Sequence, residues 1–229
     1  PDDPAGDVCA FTRQLGARLQ EAGARIGFNT RVEAIERVGD SDCRLLTSMA
    51  KFSADAVVVA AANGSPGLLA PLGVNLPIKP VKGYSLTFDV DHIDEQWLPK
   101  IAVINQAMHA AVNPLGRRIR VAGTAEFVRR PDPVLSQERL QNLMNLLCAT
   151  YPRLARELNL EQAAPWCGFR PMSADGKPFI GATGVPGVYV NSGHGYLGWT
   201  QAEGSARLLA DMMECQSTEI DSSPYAVNR

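Results

Sequence analysis

Apolar residues recur along this chain with changing periods, and each change marks a stretch with its own expected architecture. Phe11, Leu15 and Leu19 stand at helical spacing, Arg13, Arg18 and Glu21 lie off that stripe, and Gly23 supplies a stop, so a helix is expected there. Arg25–Phe28 reads as a short strand, followed by strands at Arg31–Arg37, which carries Val32 and Ile35, and at Cys43–Ser48. Ala54–Ala62 (ADAVVVAAA) is a valine-rich run of the kind found in a strand buried on both faces. Helix, strand, small strands and buried strand in this order suggest part of an α/β sheet. A doubly wound domain begins with a strand and a Gly-rich turn, whereas this pattern begins with a helix, so the sheet is expected to be incomplete.

The pattern changes around Pro71, Pro77 and Pro80. After them, alternation at Tyr84–Val90, Ile101–Asn105, His109–Val112 and Arg118–Phe127 predicts an antiparallel sheet. Asn113-Pro114-Leu115-Gly116 has the residue order of a type I turn joining two of its strands. Leu140, Leu143 and Leu147 predict a helix over Ser136–Tyr151, and Pro152–Gln162 predicts another. From Trp166 onward the expectation is loop, a strand at Val188–Asn191, a Gly-rich turn, and a closing helix from about Trp199 to Cys215.

Composition narrows the function classes. Of 229 residues, 45% are hydrophobic and 20% charged, an ordinary globular balance that excludes disorder. The net charge of -2 lacks the basic excess of a nucleic-acid binder, so no nucleic-acid partner is expected. The longest clean apolar run, Ala56–Ala62, is far short of the ~20 residues of a spanning helix, though a surface association stays open. Five scattered cysteines without a C-x-x-C pair argue against a disulfide framework and a zinc site, and point to a reducing compartment. The chain opens at Pro1 with neither methionine nor a signal segment, and the expectation is that something upstream has been removed or left out.

Two segments carry candidate chemistry. In Trp166-Cys167-Gly168-Phe169-Arg170-Pro171-Met172-Ser173-Ala174-Asp175-Gly176-Lys177-Pro178-Phe179-Ile180-Gly181, an arginine stands between an aromatic residue and a proline. Pro171 restricts Arg170 to extended backbone, and a guanidinium held in a fixed direction suits a carboxylate. A structural ion pair would explain the same residue. In Gly193-His194-Gly195-Tyr196-Leu197-Gly198-Trp199-Thr200, three glycines let backbone approach a ligand, and a helix starting there presents free N–H groups and a positive dipole end. A tight turn without a ligand fits the pattern equally. His194 is expected to orient the turn rather than act as a base; His92 and His109 are expected at the surface or in packing.

Together, G-F-R-P…D-G-x-P-x-I-G and V-Y-V-N-x-G-H-G-Y-L-G-W-T resemble the C-terminal signature of the FAD-dependent D-amino-acid oxidase superfamily. Gly83-Tyr84-Ser85-Leu86-Thr87 after Pro80-Val81-Lys82, and Arg120-Val121-Ala122-Gly123-Thr124-Ala125-Glu126, are most similar to its bacterial D-amino acid dehydrogenase branch. The resemblance covers nearly the whole chain, including the first helix and Thr30-Arg31-Val32. It departs at the amino end: the family's G-x-G-x-x-G fingerprint and ribose-binding acidic residue are missing, and Gly64-Ser65-Pro66-Gly67 is no substitute. Asn63 also stands where the family usually has a small residue.

The resemblance implies a mixed α/β (α+β) fold: a partial FAD-binding Rossmann-like domain with an inserted antiparallel β-sheet substrate domain. The expected segments are 1–76 (FAD-domain remnant), 77–165 (substrate domain) and 166–229 (return to the FAD domain). It further implies oxidative deamination of a D-amino acid, whose α-hydrogen passes directly to the flavin as hydride, giving a keto acid and ammonia. No protein residue is then catalytic in its own right, and no metal is implied. By family matching, Arg170 binds the substrate carboxylate and Tyr84 lines the substrate pocket. His194, Gly195, Tyr196, Leu197, Gly198, Trp199 and Thr200 contact the flavin, and Val32 meets the adenine through its main chain. The implied partners are a D-amino acid, an electron acceptor (quinone or oxygen), and a missing amino-terminal half or other subunit. The implied location is cytoplasmic, or peripheral on the cytoplasmic face of a bacterial inner membrane. Two alternatives remain: a related oxidase of the glycine or sarcosine type, and a non-catalytic fragment that binds no flavin.

Overall fold

A computed structural model describes residues 6–39 and 42–229. Helix α1 (Val8–Glu21) is followed by strands β1 (Val32–Val38), β2 (Asp42–Thr47), β3 (Lys51–Ala54) and β4 (Val57–Val59), and by the short helix α2 (Ser65–Leu69). Next come β5 (Ile78–Asp89), β6 (Val103–Asn105), β7 (Ala110–Leu115), β8 (Arg118–Phe127), α3 (Gln137–Thr150) and α4 (Pro152–Arg156). Strands β9 (Ala164–Ser173), β10 (Phe179–Ala182) and β11 (Val188–Ser192) lead to α5 (Gly198–Met213). This is a mixed α/β architecture. It divides into two compact units, residues 1–24 with 81–169 and residues 25–80 with 170–229.

The first unit is built on antiparallel pairing. The sheet runs in the order β6-β7-β8-β5-β9. Register places Leu86 opposite Val121 and Phe88 opposite Ile119, with Val112 opposite Val121 on the other side. The period-two alternation therefore sends all five to one face, where they bury against Leu140, Leu143 and Leu147 of α3. Ser136 caps α3 by accepting from the Arg139 N–H at 3.4 Å, and the helix stops just before Pro152. The expected second helix ends early: α4 closes at Arg156, because Asn159 and Gln162 form a capping box that starts a separate turn at Leu160–Gln162.

The hairpin between β7 and β8 turns later than expected. Pro114 lies inside β7, Leu115 pairs with Arg118, and the loop is Gly116-Arg117. Gly116 has φ +63° at the first central position, as a type II′ turn requires, and such a two-residue loop follows the twist of the strands better than the type I turn over Asn113–Gly116. Helix α1 forms where its spacing predicts. Asp7 caps it, accepting from the N–H groups of Cys9 (3.0 Å) and Ala10 (3.1 Å), and also pairs with Arg118 at 2.9 Å. Its apolar stripe stays open: Val8, Phe11, Leu15 and Leu19 are 43–53% exposed.

The second unit holds two three-stranded sheets, β1-β2-β3, which is antiparallel, and β10-β11-β4, in which β11 pairs antiparallel with β10 and parallel with β4. Three expectations are corrected here. Arg25–Phe28 is irregular, since a four-residue pattern becomes a strand only where a neighbouring edge takes its ladder, and none does so among the described residues. The run Ala54–Ala62 yields only a three-residue strand; Val57 and Val59 are buried, but Val58 points to the opposite face of the sheet and is 41% exposed. Trp166–Ser173 is strand rather than loop: β9 lies at an edge of the five-stranded sheet, where Pro171 needs no ladder N–H. Val57, Val59, Val188 and Val190 bury with Ile35, Leu69 and Phe179 to form this unit's core. Among the described residues, no helix is long and apolar enough to cross a membrane.

Leu147 is completely buried beneath the first unit's sheet. Leu147→Ala should cost about 2–5 kcal/mol, read as a lower midpoint in chemical denaturation with an unchanged slope.

Candidate functional site at the end of β11

The candidate site grows from β11. Val188 and Val190 pair with Val57 and Val59 on one side, while Gly181 and Phe179 oppose Val190 and Ser192 on the other. The strand is thereby held by two ladders at its apolar core. Its last residue is tied down as well: the Ser192 hydroxyl donates to the Ala62 carbonyl (3.2 Å) and accepts from the Ser65 hydroxyl (3.1 Å).

From this fixed end the chain reverses. Gly193 and Gly195 have φ +88° and +58°, a short 3-10 turn covers Gly195–Leu197, and α5 begins at Gly198. A side chain at Gly195 would place its Cβ 2.7 Å from the Met172 sulfur, so the positive φ favours glycine and any larger residue would also have to displace the Met172 side chain. His194 is anchored three times. Its backbone forms an isolated antiparallel bridge with Met172, its carbonyl accepts from the Leu197 N–H at 3.1 Å, and its Nε2 lies 2.9 Å from the Ser205 hydroxyl on α5. Burial of the imidazole pushes its pKa below the ordinary histidine value, which favours the neutral ring.

The start of α5 has no side-chain cap and no acidic residue in its first turn. Leu197 at the N-cap therefore leaves capping of the helix's positive dipole end to groups other than its own side chain. Tyr196, Leu197, Trp199 and Thr200 are exposed around that end. The arrangement suits an acceptor-rich or anionic edge approaching from outside.

Arg170 lies close by in the chain. It shares a face of β9 with Met172, the residue bridged to His194, so its Cα lies about 7 Å along the strand from the turn's anchor. Arg170 is half-buried, and desolvation lowers the pKa of its guanidinium. Val32, half-buried, precedes a register shift in β1 and lines an open apolar cleft with Val57, Val59, Ala60, Ala61 and Leu68. These three features all belong to the second unit.

Tyr84 belongs to the first unit and is 2% exposed. Its hydroxyl donates to Glu126 at 2.9 Å, and the Lys82 ammonium lies 5.1 Å from its ring centroid. Burial first, then the Glu126 contact, raises its pKa. Residues that sequence reasoning missed are Met172 and Ser205, which hold His194, and Ser65, which holds the end of β11. No local pattern links them to their partners; Ser205 sits eleven residues from His194 with nothing periodic between.

Comparison with known proteins gives the family and the fold likeness of the chain. The model of the family described as "DAO: FAD dependent oxidoreductase" matches residues 1–212. D-amino acid dehydrogenase of Cereibacter sphaeroides (strain ATCC 17029) is 39% identical over 229 residues, covering 99% of this chain and 51% of that protein. The enzyme of the same name from Bradyrhizobium diazoefficiens is also 39% identical, covering 100% of this chain and 53% of that protein. Among solved structures, glycine oxidase from Geobacillus kaustophilus superposes with a TM-score of 0.82 at 26% identity, covering 95% of this chain and 56% of that one. The chain thus spans about half the length of the curated relatives it matches.

The segment after β9 is braced from one side. Arg229 pairs with Asp175 at 2.9 Å and 3.0 Å, donates to the Lys177 carbonyl at 2.7 Å, and stacks 3.9 Å from the Phe179 ring centroid. The Arg229 bond, followed by the Lys177 N–H, holds the Asp175 carboxyl well below the usual carboxylate range. A carboxylate held down in the folded state stabilises it above the unfolded value of about 4, and that contribution is lost as pH falls below it. In Arg229→Ala the Asp175 titration midpoint, followed by carboxyl NMR, should rise toward 4; an unmoved midpoint would assign the effect to the Lys177 amide.

Proposed function

Because the chain belongs to the FAD dependent oxidoreductase family, we propose that it forms the substrate-holding and flavin-edge portion of a D-amino acid dehydrogenase, completed by a dinucleotide-binding half from a further segment or another subunit. The Met172–His194 bridge carries this reading, because it sets the Arg170 strand beside the glycine turn. Bound FAD supplies the acceptor for two electrons and the substrate's α-hydrogen. The residues present fit such a group: the start of α5, with no side-chain cap from Leu197 and no acidic residue in its first turn, would offer a positive dipole end to acceptor oxygens of a bound ring.

In this reading Arg170 fixes the substrate. A half-desolvated guanidinium gains most from an anion, and its planar fork grips a carboxylate through two parallel bonds. Orientation by that grip presents one face of the α-carbon, the basis for preferring one enantiomer. The turn from Gly195 to Thr200 supports the ring edge through backbone, while exposed Tyr196 and Trp199 exclude water around it. Val32 faces the nucleotide end through its main chain. The completing half finds a natural seat at β4, whose outer edge pairs with no strand among the described residues and borders the cleft of about 310 Å³ that Val32 lines.

A second reading is an oxidase of the same fold, favoured by the likeness to glycine oxidase. The acceptor separates the two: an oxidase's reduced flavin is reoxidised rapidly by oxygen, a dehydrogenase's by a quinone.

The testing experiment is anaerobic. In the assembled, flavin-loaded protein, D-alanine should bleach the flavin absorbance and L-alanine should not; no bleaching with any D-amino acid would end the proposal. Arg170→Lys should raise KM by about thirtyfold or more, the equivalent of roughly 2 kcal/mol for a lost two-point grip on a desolvated carboxylate. An unchanged KM would hand the carboxylate to another residue.

A further inference from the structure

We infer that Ser205 is a positioning residue: its hydroxyl locks His194 as the Nε2–H tautomer and thereby pins the glycine turn to α5. The argument is one of proton counting. Ser205 has a single hydroxyl hydrogen, and the hydroxyl donates it at 2.7 Å to the carbonyl of Gln201, one helical turn back. That back-bond is set by helix geometry. His194 Nε2 lies 2.9 Å from the same oxygen. With the hydroxyl hydrogen committed, Nε2 must carry its own hydrogen and donate. The reverse assignment would leave the serine oxygen and the Gln201 carbonyl 2.7 Å apart with no hydrogen between them, a repulsive contact of two acceptors.

Ser205 is 6% exposed, and its hydroxyl is the acceptor held against Nε2. Burial favours the neutral imidazole, and a neutral ring with its hydrogen on Nε2 keeps its lone pair on Nδ1. The ring is therefore held in one tautomer and one orientation. Through His194, Ser205 acts on residues it does not touch: the His194 carbonyl holds Leu197, and its backbone holds Met172 on the Arg170 strand. Losing the hydroxyl would leave a half-buried Nε2–H without its acceptor and free the turn's side-chain anchor.

What the turn serves rests on the reading above, but the tautomer and the turn's rigidity are properties of this chain alone and can be read without cofactor. The test is nitrogen NMR of the His194 imidazole together with amide hydrogen exchange, on the wild type, Ser205→Ala and Ser205→Thr. The threonine variant keeps the hydroxyl, and its extra methyl has room in the cleft of about 140 Å³ that Ser205 lines with Gln201, Gly204 and Leu208. Wild type should show essentially one neutral tautomer, with hydrogen on Nε2. Ser205→Ala should shift the ratio toward Nδ1–H by roughly three- to tenfold, the value of one net hydrogen bond. Exchange of the Gly195–Thr200 amides should quicken by a similar factor while Val188 and Val190 keep their protection, and Ser205→Thr should restore both readouts. Mixed tautomers in the wild type, unchanged turn exchange in Ser205→Ala, or equal acceleration throughout the chain would each overturn the inference. Failure of D-amino acids to bleach flavin would remove the activity reading and leave this one standing.

Discussion

The clamping of β11 between a parallel and an antiparallel neighbour is the constraint from which the candidate site follows. A strand with only one ladder can twist or fray at its end, and a turn hung on such an end cannot aim its amides. Here Val188 and Val190 are buried between Val57 and Val59 on one side and β10 on the other, so the position of Ser192 is decided before the glycines begin. Gly193 and Gly195 then have only to reverse the chain, and their positive φ angles do so within three residues. The start of α5 inherits its direction from a strand in the core.

Electrostatics points the same way as geometry. Charges and dipoles that a domain satisfies internally are ordinarily capped or paired, as Asp7 is at α1 and Arg229 at Asp175. The start of α5 carries no such side-chain cap, and Arg170 bears a desolvation cost that lowers its pKa. Both features are positive, and both flank the Met172–His194 bridge.

Much of this was legible in the sequence, for reasons that vary by element. The α3 helix and the strands β5, β7 and β8 carry strong periodicity because each has one buried face, and burial is what periodicity records. The glycine turn was visible because glycine adopts positive φ at the least cost, and Arg170 because a proline beside an arginine restricts backbone. Arg25–Phe28 misled because strand propensity says nothing of whether a partner edge exists. The Asn113–Gly116 turn misled because a proline inside an edge-proximal strand mimics turn chemistry, while register chose Gly116-Arg117. The contacts of Ser205 and Ser65 were invisible in principle. Each joins residues that only tertiary structure brings together, and a serine in a helix announces nothing.

Helix α1 carries a consequence for handling the protein. Fourteen residues is near the length at which an isolated helix is only marginally stable in water, so its cohesion leans on the Asp7 cap and the ion pair to Arg118. Its stripe of Val8, Phe11, Leu15 and Leu19 meanwhile faces solvent. A helix that is weakly tethered and greasy on one side is a surfactant in miniature. Such a stripe favours adhesion to apolar surfaces, and kosmotropic salts, which also screen the Asp7–Arg118 pair, strengthen that adhesion.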